Sequence, residues 1–205
     1  MTESFEKSRI INFTDAVFSI AMTLLVLEIS VPSYQTIKEN GMLNALSELS
    51  PSFLGLIVSF FVIALYWISH LRIMKYVEVM TLRMLWLNLF LLFFIVLLPF
   101  STALYVNAGA ITSTFFFYCL NIIFLGVFNY LLIKVVFSKT EQTPIIKLIG
   151  NLEKAKALNT LLVWILAAAL AFKFPILSKV IFLLIFVVEI ILNKRFKKKL
   201  EKLEA

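Results

Sequence analysis

Charge is what this 205-residue chain has least of: 15% of its residues are Asp, Glu, Lys or Arg, while 61% are hydrophobic. Soluble chains carry about 25% charged and about 45–50% apolar residues, and one core of this size could not hide the excess. An ordinary water-soluble domain is excluded. A single cysteine, Cys119, rules out an intrachain disulfide, and one histidine with one cysteine cannot supply the protein ligands of a zinc site. No cofactor is expected. With five glycines and five prolines scattered along the chain, nothing resembles a flexible linker or a low-complexity tract. One domain over residues 1–205 is the expectation.

What is present is apolar length. A membrane-crossing helix needs about 20 apolar residues. Such runs fall near 12–31, 52–71, 84–106, 110–137, 157–172 and 176–193. They predict an all-α membrane protein of six transmembrane helices per subunit, with a re-entrant hairpin over 157–193 as the alternative. On this layout only Lys38, Lys173 and Lys179 fall on one side. The remaining Lys and Arg, including the tail over 194–205, fall on the other. The asymmetry places both termini in the cytoplasm. It also explains the net charge of +7 as a topology signal, with the lipid bilayer as partner and nucleic acid excluded. The first run is not a cleaved leader, because it contains Asp15 and Glu28 and no A-x-A site follows.

That first run reads RIINFTDAVFSIAMTLLVLEISVP over 9–32. An ionisable group within a span is costly unless partnered, and so marks function. At about 100° per residue, Phe13, Ile20, Thr23, Leu24 and Leu27 lie within about 60° of Ile20, while Asp15 points about 140° away. One face is a bulky apolar stripe with a threonine beside it. Spacing alone is equally served by a lipid-facing or packed stripe. Trp67 and His70, three apart, share a helix face near the cytoplasmic end of the second span. Their ring N–H groups could donate to Asp15 while Arg9 neutralises it. This reads as a structural clamp, with a proton relay through His70 as the sharper alternative.

The pattern R-x-x-x-F-[ST]-D with a later T-L-L, here Arg9, Phe13, Thr14, Asp15, Thr23, Leu24 and Leu25, resembles the signature of the prokaryotic transmembrane protein 175 family. Tyr66-Trp67, His70-x-Arg72, Leu87-Asn88-Leu89 and Leu98-Pro99-Phe100 with Thr102 extend the likeness over roughly 9–106. Thr14 stands where serine is commoner, and Leu71 where a second histidine often follows the first. The resemblance implies a potassium-permeable homotetramer in a bacterial or archaeal inner membrane, its first helices lining a central pore. It further implies a constriction at Ile20, a hydroxyl ring at Thr23 one turn outward and a further apolar ring at Leu27.

Glycine scarcity agrees with a side-chain constriction. Gly41, Gly55, Gly109, Gly126 and Gly150 form no TVGYG-like segment, and a filter of stacked carbonyls needs one. An apolar ring instead acts as a dewetting barrier, which favours potassium and other weakly hydrated monovalent cations. Glu28 is read as an outer vestibule charge or a snorkelling side chain, and Glu189 as an ion-pair partner of the Asn193-Lys194-Arg195 stretch. Asn88, Asn121 and Asn129 are read as interhelical hydrogen-bond partners, and Pro99 as a kink or helix end. The competing function is a proton-coupled transporter using Asp15, His70 and Glu189. A non-conducting membrane scaffold is a third reading. An enzyme is the least supported, since no span combines nucleophile, base and orienting group.

Overall fold

The structure is a computed structural model that describes residues 4–108, 111–140 and 143–204. Gly109 and residue 110, with which the expected fourth span begins, lie outside the described residues. Nine helices follow in chain order among those described. They are α1 (Lys7–Leu27), α2 (Tyr34–Asn40), α3 (Met42–Glu48), α4 (Ser50–Met74), α5 (Leu82–Asn107), α6 (Thr112–Lys139), α7 (Pro144–Leu170), α8 (Pro175–Val180) and α9 (Leu183–Glu204). Two short strands, β1 (Ser4–Phe5) and β2 (Met80–Thr81), pair antiparallel with Ser4 opposite Thr81 and Phe5 opposite Met80. This bridge anchors the start of α1 to the turn between α4 and α5.

Four helices, α1, α4, α5 and α6, are long and apolar enough to cross a membrane. The chain is a multi-pass membrane protein. The other two expected spans look different. The stretch over 157–172 is the apolar second half of α7, whose first half carries Lys147, Glu153, Lys154 and Lys156. Its apolar part, 157–170, rises only about 21 Å at about 1.5 Å per residue, short of a hydrocarbon core of about 30 Å. The stretch over 176–193 is broken at Ile181–Phe182 into α8 and the start of α9. α9 then continues through the basic tail as one helix. The segment before α4, read as a loop, holds α2 and α3, with Gly41 between them at φ 78°. That left-handed value is one that glycine adopts without a side-chain clash.

Local sequence explains the helix ends. Pro51, Pro144 and Pro175 sit in the first turn of α4, α7 and α8, where the missing N–H has no intrahelical role. Ser33, Thr81 and Thr143 accept from the backbone N–H groups of Thr36, Met84 and Ile146. Pro99 does not end its helix: α5 runs through it to Asn107. Its carbonyl-rich turn is braced by Ser101 and Thr102, both of which donate to Leu98 O, and by Asn121, which donates to Phe94 O. Neighbouring helices and hydroxyls commonly satisfy such a break inside a membrane.

The core lies among α4, α5, α6 and α7, with Ile63, Leu91, Ile95, Leu98, Cys119, Ile122, Leu125 and Ala167 fully buried. Close approach is set by glycine at two crossings. A Cβ at Gly55 would stand 2.5 Å from Val106 Cγ2, and one at Gly150 would stand 2.8 Å from the Phe137 ring. Polar side chains tie the same helices together. Ser59 of α4 bonds Thr102 of α5 at 2.8 Å and Tyr118 of α6 at 3.1 Å. α1 stands at the side of this core and packs chiefly on α4 and α5.

Candidate functional site

One face of α1 is packed and the opposite face is bare. Thr14, Phe18, Ala21 and Leu25, spaced 4, 3 and 4 apart, are the buried residues of the helix. That spacing gives one continuous stripe, and it lies against α4 and α5. The stripe singled out in the sequence faces the other way. Ile20 is 56% exposed and Leu27 75%, with Phe13, Thr23 and Leu24 also exposed. The subunit itself leaves Phe13, Ile20 and Leu27 largely uncovered.

Two hydrogen bonds hold α1 from behind. Trp67 Nε1 of α4 donates to Asp15 Oδ1 at 2.8 Å. Asn88 Nδ2 of α5 donates to Thr14 Oγ1 at 2.8 Å, with both residues fully buried. Adjacent residues of one helix thus grip two neighbours. The two bonds are equal in length, the Asn88–Thr14 bond fully buried and the Trp67–Asp15 bond partly so. Thr14 fills its role because its hydroxyl accepts as serine's would, while its methyl adds packing.

The rest of the expected clamp assembles differently. Arg9 is exposed and makes no ion pair with Asp15 among the described residues. The spacing explains this: six residues turn the helix by about 240°, so Arg9 falls in line with Ile20 and Leu27 on the bare face. His70 is fully buried, stacked at a tilt against Phe18 with centroids 6.2 Å apart. Neither of its ring nitrogens makes a hydrogen bond. The polar groups that act on it are Asp15 and the side chain of Asn88, which is close without being in bonding geometry. His70 therefore contributes packing behind α1, beside the carboxylate rather than bonded to it.

On the bare face, hydroxyl orientation is fixed by the helix. Thr23 Oγ1 donates to Ile20 O and Ser19 Oγ to Asp15 O, each at 2.8 Å. A hydroxyl has one proton and two acceptor lone pairs, so both oxygens keep lone pairs to offer outward. Ser19 was not singled out in the sequence; its i–4 bond and its position one turn before Thr23 are the signals that find it. Glu28 is exposed and forms the C-terminal cap of α1.

Glu189 departs from its sequence reading. No ion pair joins it to Lys194 or Arg195 among the described residues, because steps of five and six residues turn those side chains onto other faces. It lines a separate cavity between α4, α6, α7 and α9 instead. Glu153, which lines the same cavity, was missed. Its sequence signal is the E-K-A-K segment at 153–156 leading directly into an apolar run. Glu153 is buried and pairs at 3.9 Å with both Arg72 Nη1 of α4 and Lys156 Nζ.

Known proteins match this geometry. The family described as endosomal/lysosomal potassium channel TMEM175 matches residues 9–99, the segment containing α1, α4 and most of α5. A potassium channel of Chamaesiphon minutus is 40% identical over 102 residues, spanning half of this chain and half of its own length. A potassium channel of Chryseobacterium is 26% identical over 96% of this chain and 98% of its own. The crystal structure of a lysosomal potassium-selective channel TMEM175 homolog from Chamaesiphon minutus superposes with a TM-score of 0.78 at 27% identity. That likeness covers 93% of this chain and 97% of that one. In fold along nearly its whole length, and in sequence most strongly over residues 9–99, the chain is similar to TMEM175 potassium channels.

Proposed function

We propose that this protein is a member of that family and forms a homotetrameric, potassium-permeable channel in a bacterial or archaeal inner membrane. In this reading α1, α4, α5 and α6 cross the bilayer, the shorter α7 and the broken α8–α9 stretch complete six membrane segments per subunit with both termini in the cytoplasm, and four copies of α1 line the pore. The observation that carries it is the two-sided character of α1. Trp67 and Asn88 fix the helix from behind, while Ile20, Thr23 and Leu27 stand uncovered in front. A helix facing only lipid has no need of so firm a hold on its orientation.

Selectivity then comes from side chains. Four Ile20 side chains offer a permeating ion no ligand, so passage requires partial dehydration, and potassium loses water more readily than sodium. Thr23, with its proton committed to Ile20 O, presents lone pairs that replace part of the lost hydration. Leu27 adds an apolar ring and Glu28 a negative charge at the outer mouth. Permeating potassium is the cargo, and no chemical step is catalysed. The transporter alternative requires Asp15, His70 and Glu189 to act together. Glu189 instead lines a cavity whose wall includes neither of the other two.

Potassium flux into liposomes carrying purified protein, with and without an imposed proton gradient, tests the proposal. Passive flux that needs no gradient is expected, together with a fourfold mass in mild detergent. Flux strictly coupled to protons, or conduction by a monomer, would overturn it.

A further inference from the structure

The cavity between α4, α6, α7 and α9 has about 100 Å³ of room, enough to hold water. Three helices bring charge to it: Arg72 from α4, Glu153 and Lys156 from α7, and Glu189 from α9. Neither ion pair of Glu153 closes to hydrogen-bond length, both standing at 3.9 Å. Such separations suit charges bridged by water. Two further residues of the cavity wall carry orphaned polar atoms. Asn129 Oδ1 and Tyr66 Oη are buried and make no hydrogen bond within the protein, and their residues are 3% and 5% exposed. Gly126, one turn before Asn129, leaves room for that hydroxyl, since a Cβ there would lie 3.2 Å from it.

Buried polar atoms without partners are rare, and each costs about 1–3 kcal/mol unless it is met by water or a ligand. Four charges that sum to zero leave no surplus to hold a free anion or cation. A proton is the ligand that fits: it needs a carboxylate, a hydrated space, and counter-charges that set its affinity.

We propose that this cavity is a hydrated proton-binding site, with Glu153 as acceptor, which couples the packing of α4 against α7 and α9 to pH. The side chains of Arg72, Lys156 and Glu189 set its affinity from α4, α7 and α9, and α6 contributes the neutral Asn129. Burial raises the Glu153 carboxyl above its ordinary range and Glu189 adds to the rise, while Lys156 and Arg72 oppose it. The packed state is therefore the better proton acceptor. It is tightest on the acid side and loosens as pH climbs through the raised Glu153 range. Tyr66 is the neighbour of Trp67, which holds Asp15, so a shift of α4 reaches α1 directly. This last coupling rests on the channel reading above, whereas the proton site does not.

The experiment is a carboxyl infrared titration of the whole protein in nanodiscs, with potassium flux followed over the same pH range in liposomes. A carboxyl signal titrating above the usual range is expected in the native protein. It should vanish in Glu153→Gln and move to lower pH in Glu189→Gln. Flux should change by about twofold or more across that titration, and Glu153→Gln should flatten the profile, an effect of the size that a fraction of a pKa unit produces. A Glu153→Gln protein that keeps the signal, or a Glu189→Gln protein with an unmoved midpoint, would overturn the proton site. The second variant decides the matter if the first fails to fold. Flux insensitive to a titration that does occur would overturn the coupling. Absence of any flux would instead count against the channel reading, leaving the infrared result to judge the site.

Discussion

The α1, α4 and α5 region and the α7–α9 region bury polar groups in opposite ways. In the first, three interhelical side-chain bonds are short and direct, Trp67 on Asp15, Asn88 on Thr14 and Ser59 on Thr102, all at 2.8 Å, while His70 is packed without one. In the second, charges meet at 3.9 Å around a cavity, and the helices are shorter in their apolar parts or broken. Direct bonds between buried or half-buried partners rigidify, since each group gains one defined neighbour. Loosely paired charges around a hydrated space leave packing adjustable. The difference teaches that the bundle has a fixed side, on which the orientation of α1 depends, and a yielding side.

The comparison breaks most sharply at Asp15. Asp15→Ala leaves the Trp67 indole N–H without its acceptor, and should cost up to about 3 kcal/mol. Thermal unfolding in detergent and yield of assembled protein will report it; an unchanged midpoint would show that α1 is not held there. On the other side of the bundle, Gly150→Ala drives a Cβ to 2.8 Å from the Phe137 ring. Overpacking of this kind costs about 1–3 kcal/mol. Because α7 belongs to the yielding side, we expect a loss of about 2 kcal/mol or less, with potassium over sodium preference intact in reversal potentials.

The face of α1 is tested by Ile20→Asn. If four copies of Ile20 form the constriction proposed above, four amides in their place would hold water there, so flux should rise and the potassium-to-sodium ratio fall by up to about tenfold, or about 1.4 kcal/mol. Val17→Asn is the control: Val17 is half-buried and packs against the core, so it should lose stability while keeping the ratio. A ratio unchanged in conducting Ile20→Asn protein would remove Ile20 from the pore. The smallest effect is expected from Glu28→Gln. An exposed mouth charge is screened within a Debye length of about 8 Å at physiological salt. Its loss should lower conductance at low salt and leave it nearly unchanged at physiological salt; a deficit persisting at high salt would contradict a vestibule role.

How much of this was legible in the sequence differs by region for the same physical reason. α1, α4, α5 and α6 were readable because each is an apolar run of crossing length; the ends of α4, α5 and α6 moved by less than a turn, and α1 begins five residues and ends four residues earlier than expected. The break in α8–α9 was not. Residues 176–193 are apolar apart from Ser178, Lys179, Glu189 and Asn193, and no glycine or proline at Ile181–Phe182 marks the break. That Ile20 and Leu27 share one stripe followed from helical periodicity, but that the stripe is bare did not, since spacing alone suits a packed stripe as well. Which charges would meet did not. Arg9 and Asp15 are near in sequence yet turned apart, while Arg72 and Glu153 are distant in sequence and brought together by packing of α4 beside α7. Glu153 escaped notice because flanking lysines make it look like an ordinary solvated helix charge.

The hydroxyls of Ser19 and Thr23 carry one more consequence. Both have given their only proton to a carbonyl of their own helix, so between Ser19 and Leu27 the bare face presents oxygen lone pairs and methyl groups but no side-chain hydrogen-bond donor. Chloride shedding its water there would find nothing to donate to it, whereas any cation would find acceptors. Discrimination by sign is thus written into the α-helical backbone of α1, apart from discrimination by size. It should persist in Ile20→Asn channels as far as the new amide N–H groups stay turned from the path.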